Sequence, residues 1–193
     1  YGRAKETAYQ LGKALKSIKR DAEFALVGAD QAAVGGSSSV ARQMASAINQ
    51  ITTVEAGGTA ALTEAMLLSA GQTAYNNGSD VDTFMIKPAD AQIVAGFSAS
   101  AGRNREIAQG KTLVNAIDLY VSPYGEYRVV LNRHLESSHA LLIDPSMFKT
   151  CTLRPFTRTL LSKSGDSDKH FVVGEMSVKH MNFGDSVKIN ALT

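Results

Sequence analysis

The stretch that decides the fold is residues 4–27, AKETAYQLGKALKSIKRDAEFALV. Apolar side chains recur along it at steps of three and four residues, which is typical of one continuous helix. They are Ala4, Ala8, Leu11, Leu15, Ile18, Ala22 and Ala25. Gly28 follows, where a left-handed residue often closes a helix. At 1.5 Å per residue, a helix over residues 1–27 would be about 40 Å long, so we predict a strut that braces other parts of the molecule.

Shorter helices are predicted after the strut. Residues 29–39 are small and read as a linker, and a second helix is expected with Ser39 as its N-cap and apolar positions from Val40 to Ile51. Gly57-Gly58 breaks the chain, and Thr63 caps a third helix that ends at Asn77-Gly78. A strand over residues 83–86, a short helix from Pro88 to about Phe97 and an exposed loop over residues 98–111 complete this part.

The second half of the chain has the alternating pattern of β-strands. Residues 113–121 and 127–131 alternate on either side of Ser122-Pro123-Tyr124-Gly125, which predicts a hairpin. Further strands are predicted over residues 140–143 and 153–161, and a last pair over 171–181 and 187–191 around a turn at 182–185. The predicted class is α+β, with helices first and mostly antiparallel strands after them.

Composition narrows the classes of protein. The chain has 193 residues, of which 44% are hydrophobic, so it can bury one core or two small lobes. It has no apolar run long enough for a membrane span, no signal peptide and one cysteine, so we expect a soluble protein made in the cytoplasm. It begins with Tyr1 rather than Met, so we expect that an upstream segment has been removed.

Positive charge is concentrated near the start of the chain. The net charge of +2 is low for a dedicated nucleic-acid binder, yet residues 1–20 carry six Lys and Arg side chains against Glu6 alone. Such a cluster is more commonly a solvated helix face. The alternative is a helix that lies near phosphates or an acidic neighbour.

Motifs that would indicate an enzyme are incomplete. Gly110-Lys111-Thr112 resembles the end of a phosphate-binding loop, but Arg105 stands where the first glycine belongs. Ser146-x-x-Lys149 lacks the companion motifs of acyl-serine enzymes, so Ser146 is expected to be a helix N-cap. His134 and His139 give a weak metal signal, Asp80/Asp82 and Asp166/Asp168 fit turns, and Cys151 is expected to be half-buried. We therefore predict no catalytic, cofactor-binding or metal residues and no enzymatic activity.

Three stretches together resemble a known family. They are residues 6–26, residues 114–135 with Tyr120-Val121-Ser122-Pro123-Tyr124-Gly125 at the turn, and residues 161–178 with Lys163-Ser164-Gly165-Asp166 before a glutamate-bearing strand. In their order and spacing they resemble the major capsid proteins of tailed double-stranded-DNA phages, which have the Hong Kong 97 fold. The resemblance covers essentially the whole chain. The N-terminal arm and extended loop that precede the spine helix in that family are not in this sequence.

The resemblance implies a division into two domains. Residues 1–52, with the spine helix 1–27, and residues 148–193 would form a peripheral domain, and residues 53–147 an axial domain. The protein would self-assemble into hexamers and pentamers of a phage head, with scaffolding, portal and decoration proteins as further partners and weak, non-specific contact with packaged DNA. It would be made in the host bacterial cytoplasm and reside in the virion. Exposed charged tips are the predicted assembly contacts: Arg103, Arg105, Glu106, Lys111, Asp166, Asp168 and Lys169.

Three alternatives remain at this point. A bacterial nanocompartment shell of the encapsulin type would share the fold and enclose protein cargo. An enzyme with a site dispersed along the chain would leave no motif. A nucleic-acid-binding module would rest on the basic first helix.

Overall fold

The computed structural model describes residues 6–100, 119–163, 165–166 and 169–193. The helices are α1 (Glu6–Val27), α2 (Ala47–Gln50), α3 (Glu64–Asn76) and α4 (Ala91–Ser100). The strands are β1 (Thr53–Ala60), β2 (Thr83–Ile86), β3 (Leu119–Ser122), β4 (Gly125–Leu131), β5 (Ala140–Ile143), β6 (Phe148–Leu160), β7 (His170–His180) and β8 (Val187–Leu192). Single 3-10 turns at Pro88–Asp90 and Pro145–Met147 precede α4 and β6. The α+β class is confirmed.

The strands form two sheets. Six of them make a mixed sheet in the order β1-β8-β5-β2-β4-β3, in which β1 runs parallel to β8 and β2 parallel to β4. The other neighbouring strands of this sheet are antiparallel. β6 and β7 form a separate antiparallel two-stranded sheet, the β6–β7 hairpin.

The six-stranded sheet carries the core. On one face Phe84, Tyr127, Leu142 and Ile189 pack with α3 and α4. On the other, Leu141 and Ile143 pack with the end of α1 and with α2. Because successive residues of a strand point to opposite faces, β5 is buried along its whole length between these two clusters.

The long first helix is confirmed over its described part. At 1.5 Å per residue, the 22 residues of α1 extend about 33 Å. Gly28 donates its backbone N–H to the carbonyl of Phe24 at 2.7 Å. Gly28 does not have the left-handed conformation that we expected at the end of this helix. Gly78, which follows α3, does have it, with φ +75°. No helix of the described ranges is both long enough and apolar enough to cross a membrane.

The predicted second helix from Val40 to Ile51 is wrong. Val34 and Gln43 exchange both backbone hydrogen bonds, at 3.0 and 3.1 Å, and this bridge holds the chain extended. The Ser37 hydroxyl accepts the backbone N–H groups of Ser39 and Val40, and such local bonds compete with a helix. The helix therefore starts late, at Ala47, and its cap is Ser46 rather than Ser39.

The third helix is confirmed, and so is the first hairpin from residue 119 onward; residues 113–118 of its predicted first strand lie outside the described ranges. The Thr63 side chain accepts the N–H of Met66, and Leu62 and Leu67 are both buried in one cluster, as a hydrophobic staple requires. β3 and β4 pair across the turn at Pro123 and Tyr124. The predicted loop over residues 98–111 is corrected at its start, because α4 continues to Ser100, and residues 101–111 lie outside the described ranges.

Strand β1 was not predicted, because Gly57-Gly58 was read as a break. A Cβ on Gly57 would lie 2.4 Å from the backbone oxygen of Asn190, so only glycine lets β1 approach β8 this closely. Gly58 and Thr59, with φ +64° and +57°, shift the register between Ala56 and Ala60. The pair of glycines thus lies inside a strand.

The predicted pairing of the last two strands is wrong. β7 pairs with β6, whereas β8 lies between β1 and β5 in the other sheet. The turn at residues 182–185 therefore carries the chain from one sheet to the other. Local alternation predicts each strand but does not choose its partner.

Candidate assembly surface

The longest run of exposed residues in the described ranges lies on β6, in the β6–β7 hairpin. From Lys149 to Leu160 every residue of β6 is exposed. The pairing with β7 slips on both sides of Arg154, where Pro155 interrupts the ladder as proline does at a bulge. The hairpin therefore stands clear of the core along most of its length.

Large apolar side chains on this hairpin lie in solvent. The exposed fraction is 71% for Leu153, 47% for Phe156, 58% for Leu160 and 48% for Phe171. A single exposed apolar side chain is ordinary, but a group of them on one element marks a surface that binds another molecule.

One of these side chains is held by a close contact across the hairpin. The ring of Phe156 lies over Gly174, where a Cβ would meet the ring at 2.5 Å. A glycine covered by an aromatic ring of the neighbouring strand lets that ring lie flat against the backbone. Phe156 is thus positioned although it is half exposed.

Polar pairs on the same hairpin link its strands to the segment before α2. Arg154 forms an ion pair with Glu175, and Arg42 lies 4.0 Å from the other carboxylate oxygen. The hydrogen bond from Arg154 holds the pKa of Glu175 below its ordinary value, against the smaller opposing effect of burial. At the far end, Arg158 Nε lies 3.3 Å from Nδ1 of His170.

A cleft of about 990 Å³ separates α1 from the hairpin. Ile18, Ala22 and Ala25 line it from the helix, and Phe156 and Met176 from the hairpin. The apolar stripe of α1 thus points toward the hairpin as the strut interpretation expects. The stripe is not packed, however: Leu15 is 40% exposed, and among the described residues of α1 only Val27 is buried.

The hairpin joins the core through a rigid base. The ring of His180 stacks on Phe148 with centroids 4.2 Å apart, and its Nε2 lies 3.2 Å from the hydroxyl of Ser186. Gln50 accepts the backbone N–H of His180 and donates to the carbonyl of Val178. Burial lowers the pKa of His180.

The pair of Ser186 and His180 at the foot of the hairpin is not a hydrolase site, although a serine and a histidine lie side by side there. Ser186 is fully buried, so no substrate could reach its hydroxyl. The Nδ1 atom of His180 has no hydrogen-bond partner, whereas a catalytic dyad needs an acceptor there to orient the ring.

A polar joint that sequence reasoning missed connects α1 with the six-stranded sheet. It consists of Asp30, Asn49, Glu136, His139 and Lys188. Lys188 Nζ lies 3.4 Å from Asp30 Oδ2 and donates to the carbonyl of Ile48 at 3.1 Å. His139 Nδ1 lies 3.5 Å from Glu136 and its Nε2 lies 4.0 Å from Asp30. No signal in the sequence could have found it, because its members are up to 158 positions apart.

The joint shifts the pKa of two of its members. Burial would raise the pKa of Asp30, but the hydrogen bond from Asn49, the positive charge and hydrogen bond of Lys188 and the nearby His139 together lower that pKa. Burial lowers the pKa of His139, and the nearby carboxylates of Glu136 and Asp30 only partly compensate. His139 is therefore accommodated as the neutral ring.

The structure describes two of the seven predicted assembly contacts. Asp166 and Lys169 are exposed near the end of the hairpin, where Gly165 has φ +84°, as a hairpin tip predicts. The other five lie outside the described residues: Arg103, Arg105, Glu106, Lys111 and Asp168. The same holds for Gly110-Lys111-Thr112.

Two other expectations are corrected. Ser146 is not an N-cap: Asp144 caps the 3-10 turn, and its carboxylate accepts both the backbone N–H and the hydroxyl of Ser146. Cys151 is exposed rather than half-buried, because β6 stands away from the core. Within the described ranges, no group of His, Cys, Asp and Glu could hold a metal ion.

Comparison with known proteins decides the family. The family model described as SU10 major capsid protein matches residues 1–193. The chain belongs to the SU10 major capsid protein family. This confirms the resemblance to tailed-phage capsid proteins.

One curated protein and two solved structures are similar to parts of this chain. The major capsid protein of Escherichia phage Phieco32 is 28% identical over 111 residues, which cover 56% of this chain and 32% of that protein. The chain therefore spans about a third of the length of this curated relative. Among solved structures, a virus-like particle from Pyrococcus furiosus has a TM-score of 0.44 at 12% identity, covering 74% of this chain and 57% of that one. A structure of phage G gp27 major capsid proteins and gp26 decoration proteins has a TM-score of 0.45 at 10% identity, covering 83% and 57%.

Proposed function

We propose that this SU10-family chain forms the shell of a tailed-phage head. Copies of it would associate into hexamers and pentamers of an icosahedral or prolate shell that encloses double-stranded DNA. The observation that carries the proposal is the β6–β7 hairpin, which holds Leu153, Phe156, Leu160 and Phe171 in solvent. A capsid subunit buries such a surface against its neighbours, so the hairpin fits a contact between copies.

We also propose the Hong Kong 97 arrangement within the subunit. Residues 1–52 and 148–193 would be the peripheral domain, in which α1 and the hairpin flank the cleft, and residues 53–147 the axial domain. Support comes from the separation of the hairpin from the six-stranded sheet, to which residues 53–147 contribute β1 to β5. β8 would tie the two domains together, since it comes from the peripheral range and pairs with β1 and β5.

The partners of the assembled shell belong to the same proposal. Scaffolding, portal and decoration proteins are the expected partners, and the shell would be built in the host bacterial cytoplasm. The charged tips named above, with Asp166 and Lys169 at the hairpin end, would set the register between neighbours, because charges at the rim of an interface affect partner choice more than affinity. A nanocompartment shell is less well supported, since the matching family is one of phage capsid proteins.

The experiment is a comparison of self-association between two pairs of variants. Leu153→Ser with Leu160→Ser removes apolar surface from the hairpin. Tyr75→Ser with Leu131→Ser is the matched control, since these apolar residues are 65% and 56% exposed but lie on α3 and β4. Sedimentation velocity and negative-stain microscopy of the purified protein give the readout.

We expect rings or shells from the unsubstituted chain and from the control, and slowly sedimenting subunits from the hairpin variant. Circular dichroism should be unchanged in all three, because the substituted residues are exposed. Shells of normal size from the hairpin variant would contradict the role of the hairpin. A chain that stays monomeric at every concentration would contradict self-assembly itself.

A further inference from the structure

Helix α1 has a second face that the proposed shell contacts do not use. Taking about 100° per residue, Lys13, Lys16 and Arg20 lie within roughly 60° of one another around the helix axis. Ile18, Ala22 and Ala25, which line the cleft, lie on roughly the opposite side. The cations and the apolar stripe therefore occupy different faces of one helix.

The cations of this face are available to a partner. Lys13, Lys16, Lys19 and Arg20 are all exposed. Within the described part of the chain, no carboxylate forms an ion pair with any of these four side chains, although Asp21 and Glu23 follow directly. The Lys13 ammonium lies 4.8 Å from the ring centroid of Tyr9, a cation–π contact that orders it without neutralising it.

Their arrangement favours a regular polyanion. Along the helix axis Lys13, Lys16 and Arg20 span about 10 Å, since each residue rises about 1.5 Å. One strand of duplex DNA carries a phosphate about every 3.4 Å of axis, so this row spans about three phosphate spacings and each cation can lie near a phosphate. Between Lys13 and Arg20 the only other residue on the face is Ser17, whereas the centre of a protein–protein contact is commonly apolar.

We infer that the face of α1 formed by Lys13, Lys16 and Arg20, with Lys19 at its side, is a docking surface for the phosphate backbone of duplex DNA. The inference rests on the proposed function for the source of that DNA, the packaged genome. Contact by three phosphates is weak for one subunit and independent of base sequence. Many subunits of a shell presenting the same face would add their weak contacts along one duplex.

The inference also orients the subunit. If α1 touches the enclosed DNA through its basic face, this face points to the interior of the shell. The cleft and the β6–β7 hairpin, on the other side of the helix, are then turned away from the interior and toward neighbouring subunits or the exterior.

The test measures binding of a fluorescently labelled 30-base-pair duplex of arbitrary sequence to the whole chain by anisotropy, over a range of salt concentrations. The face variant is Lys13→Gln, Lys16→Gln and Arg20→Gln. The matched control is Lys149→Gln, Lys179→Gln and Arg133→Gln, which removes the same charge from exposed positions elsewhere. Circular dichroism and sedimentation of the same samples report folding and self-association.

The face variant should lose roughly tenfold or more in affinity at low salt. Its slope of log affinity against log salt should fall by about 2.7, at about 0.9 for each lost phosphate contact. The control should keep the slope of the unsubstituted chain. Equal losses in both variants would overturn the inference, because binding would then follow net charge alone.

Two further outcomes would also overturn it. One is an unsubstituted chain that does not bind the duplex at low salt. The other is a labelled polyglutamate of equal total charge that binds more tightly than the duplex, which would identify an acidic protein as the partner. Sedimentation separates this inference from the shell proposal. If the chain self-associates normally in either case, the shell proposal stands. A chain that does not self-associate would count against the shell proposal and not against the basic face of α1.

Discussion

The ammonium of Lys188 lies 3.4 Å from a carboxylate oxygen of Asp30, and this ion pair joins β8 to the segment that follows α1. Lys188 is nearly buried and also donates to the carbonyl of Ile48. Lys188→Met keeps the stem but removes the donor to Asp30 Oδ2 and to this carbonyl, so we expect a loss of about 1–3 kcal/mol in the free energy of unfolding. Urea denaturation measures it, and Lys179→Met, at an exposed position, is the control. Equal stability of the two variants would show that the pair contributes nothing.

Stability should depend on the two buried histidines at mildly acid pH. Burial lowers the pKa of His139 and of His180 from the ordinary 6.5. At pH values between 6.5 and each lowered pKa, the unfolded chain binds more protons than the folded chain does. The stability that comes from keeping these rings neutral is therefore fully present above pH 6.5 and is lost as the pH falls below it. Each histidine contributes at most about 1.4 kcal/mol per pH unit. His139→Gln should flatten the dependence of unfolding free energy on pH, and an unchanged dependence in this variant would contradict the role of His139.

A methyl group on Gly57 should destabilise the central sheet. The new Cβ would lie 2.4 Å from the backbone oxygen of Asn190, and a backbone atom cannot move aside as a side chain can. We expect Gly57→Ala to cost about 1–3 kcal/mol in unfolding free energy, as overpacking does. Gly96→Ala is the control, because this exposed position of α4 has nothing within 4 Å and alanine favours a helix. Thermal unfolding compares them, and a neutral Gly57→Ala would mean that β1 and β8 lie further apart.

The apolar stripe of α1 should matter for association more than for folding. A strut packed through this stripe predicts that Leu15→Asp or Ile18→Asp abolishes folding or assembly. Because Leu15 is exposed and Ile18 only lines the cleft, both variants should keep their helix content. Self-association should nevertheless fall, since a charge at either position would oppose burial against a neighbour. Sedimentation beside circular dichroism separates the two effects, with Lys13→Ala as the milder control. Loss of helix in Ile18→Asp would show that the cleft closes in solution.

The charged loop after α4 stays a prediction. Reversing Arg103 and Arg105 to Glu should give a folded, soluble subunit that assembles poorly, because rim charges set the register between partners. Asp166→Lys at the hairpin end tests the second tip in the same way. Circular dichroism and sedimentation are again read together. Shells of normal size from the Arg103 and Arg105 variant would exclude this loop as a contact.

What the sequence could predict was set by local chemistry. Helix α3 was predictable because its cap, Thr63, and its staple, Leu62 and Leu67, lie within six residues of one another. Strand β8 was predictable as a strand, but its place between β1 and β5 was not, since neither partner strand is its neighbour in the sequence and β1 is more than a hundred positions away.

The candidate surface was less predictable than the fold. The alternation in β6 predicts a strand but does not say that Leu153 stays in solvent, because exposure depends on what packs against the strand. The polar joint brings Asp30 beside His139 and Lys188, and no pattern of spacing predicts such a meeting. The basic face of α1 was visible in the sequence, and the structure added that its cations are exposed and lie apart from the cleft.

The position of β8 has a consequence for how the protein is made. β8 fills the gap between β1 and β5, so the six-stranded sheet stays open until residue 192 has left the ribosome. At 5–20 residues per second, roughly ten seconds separate the synthesis of β1 from that of β8. An interrupted chain would expose the unpaired edges of β1 and β5, and sheet edges of this kind favour aggregation. Incorporation into a particle would then be restricted to polypeptides whose translation has passed β8.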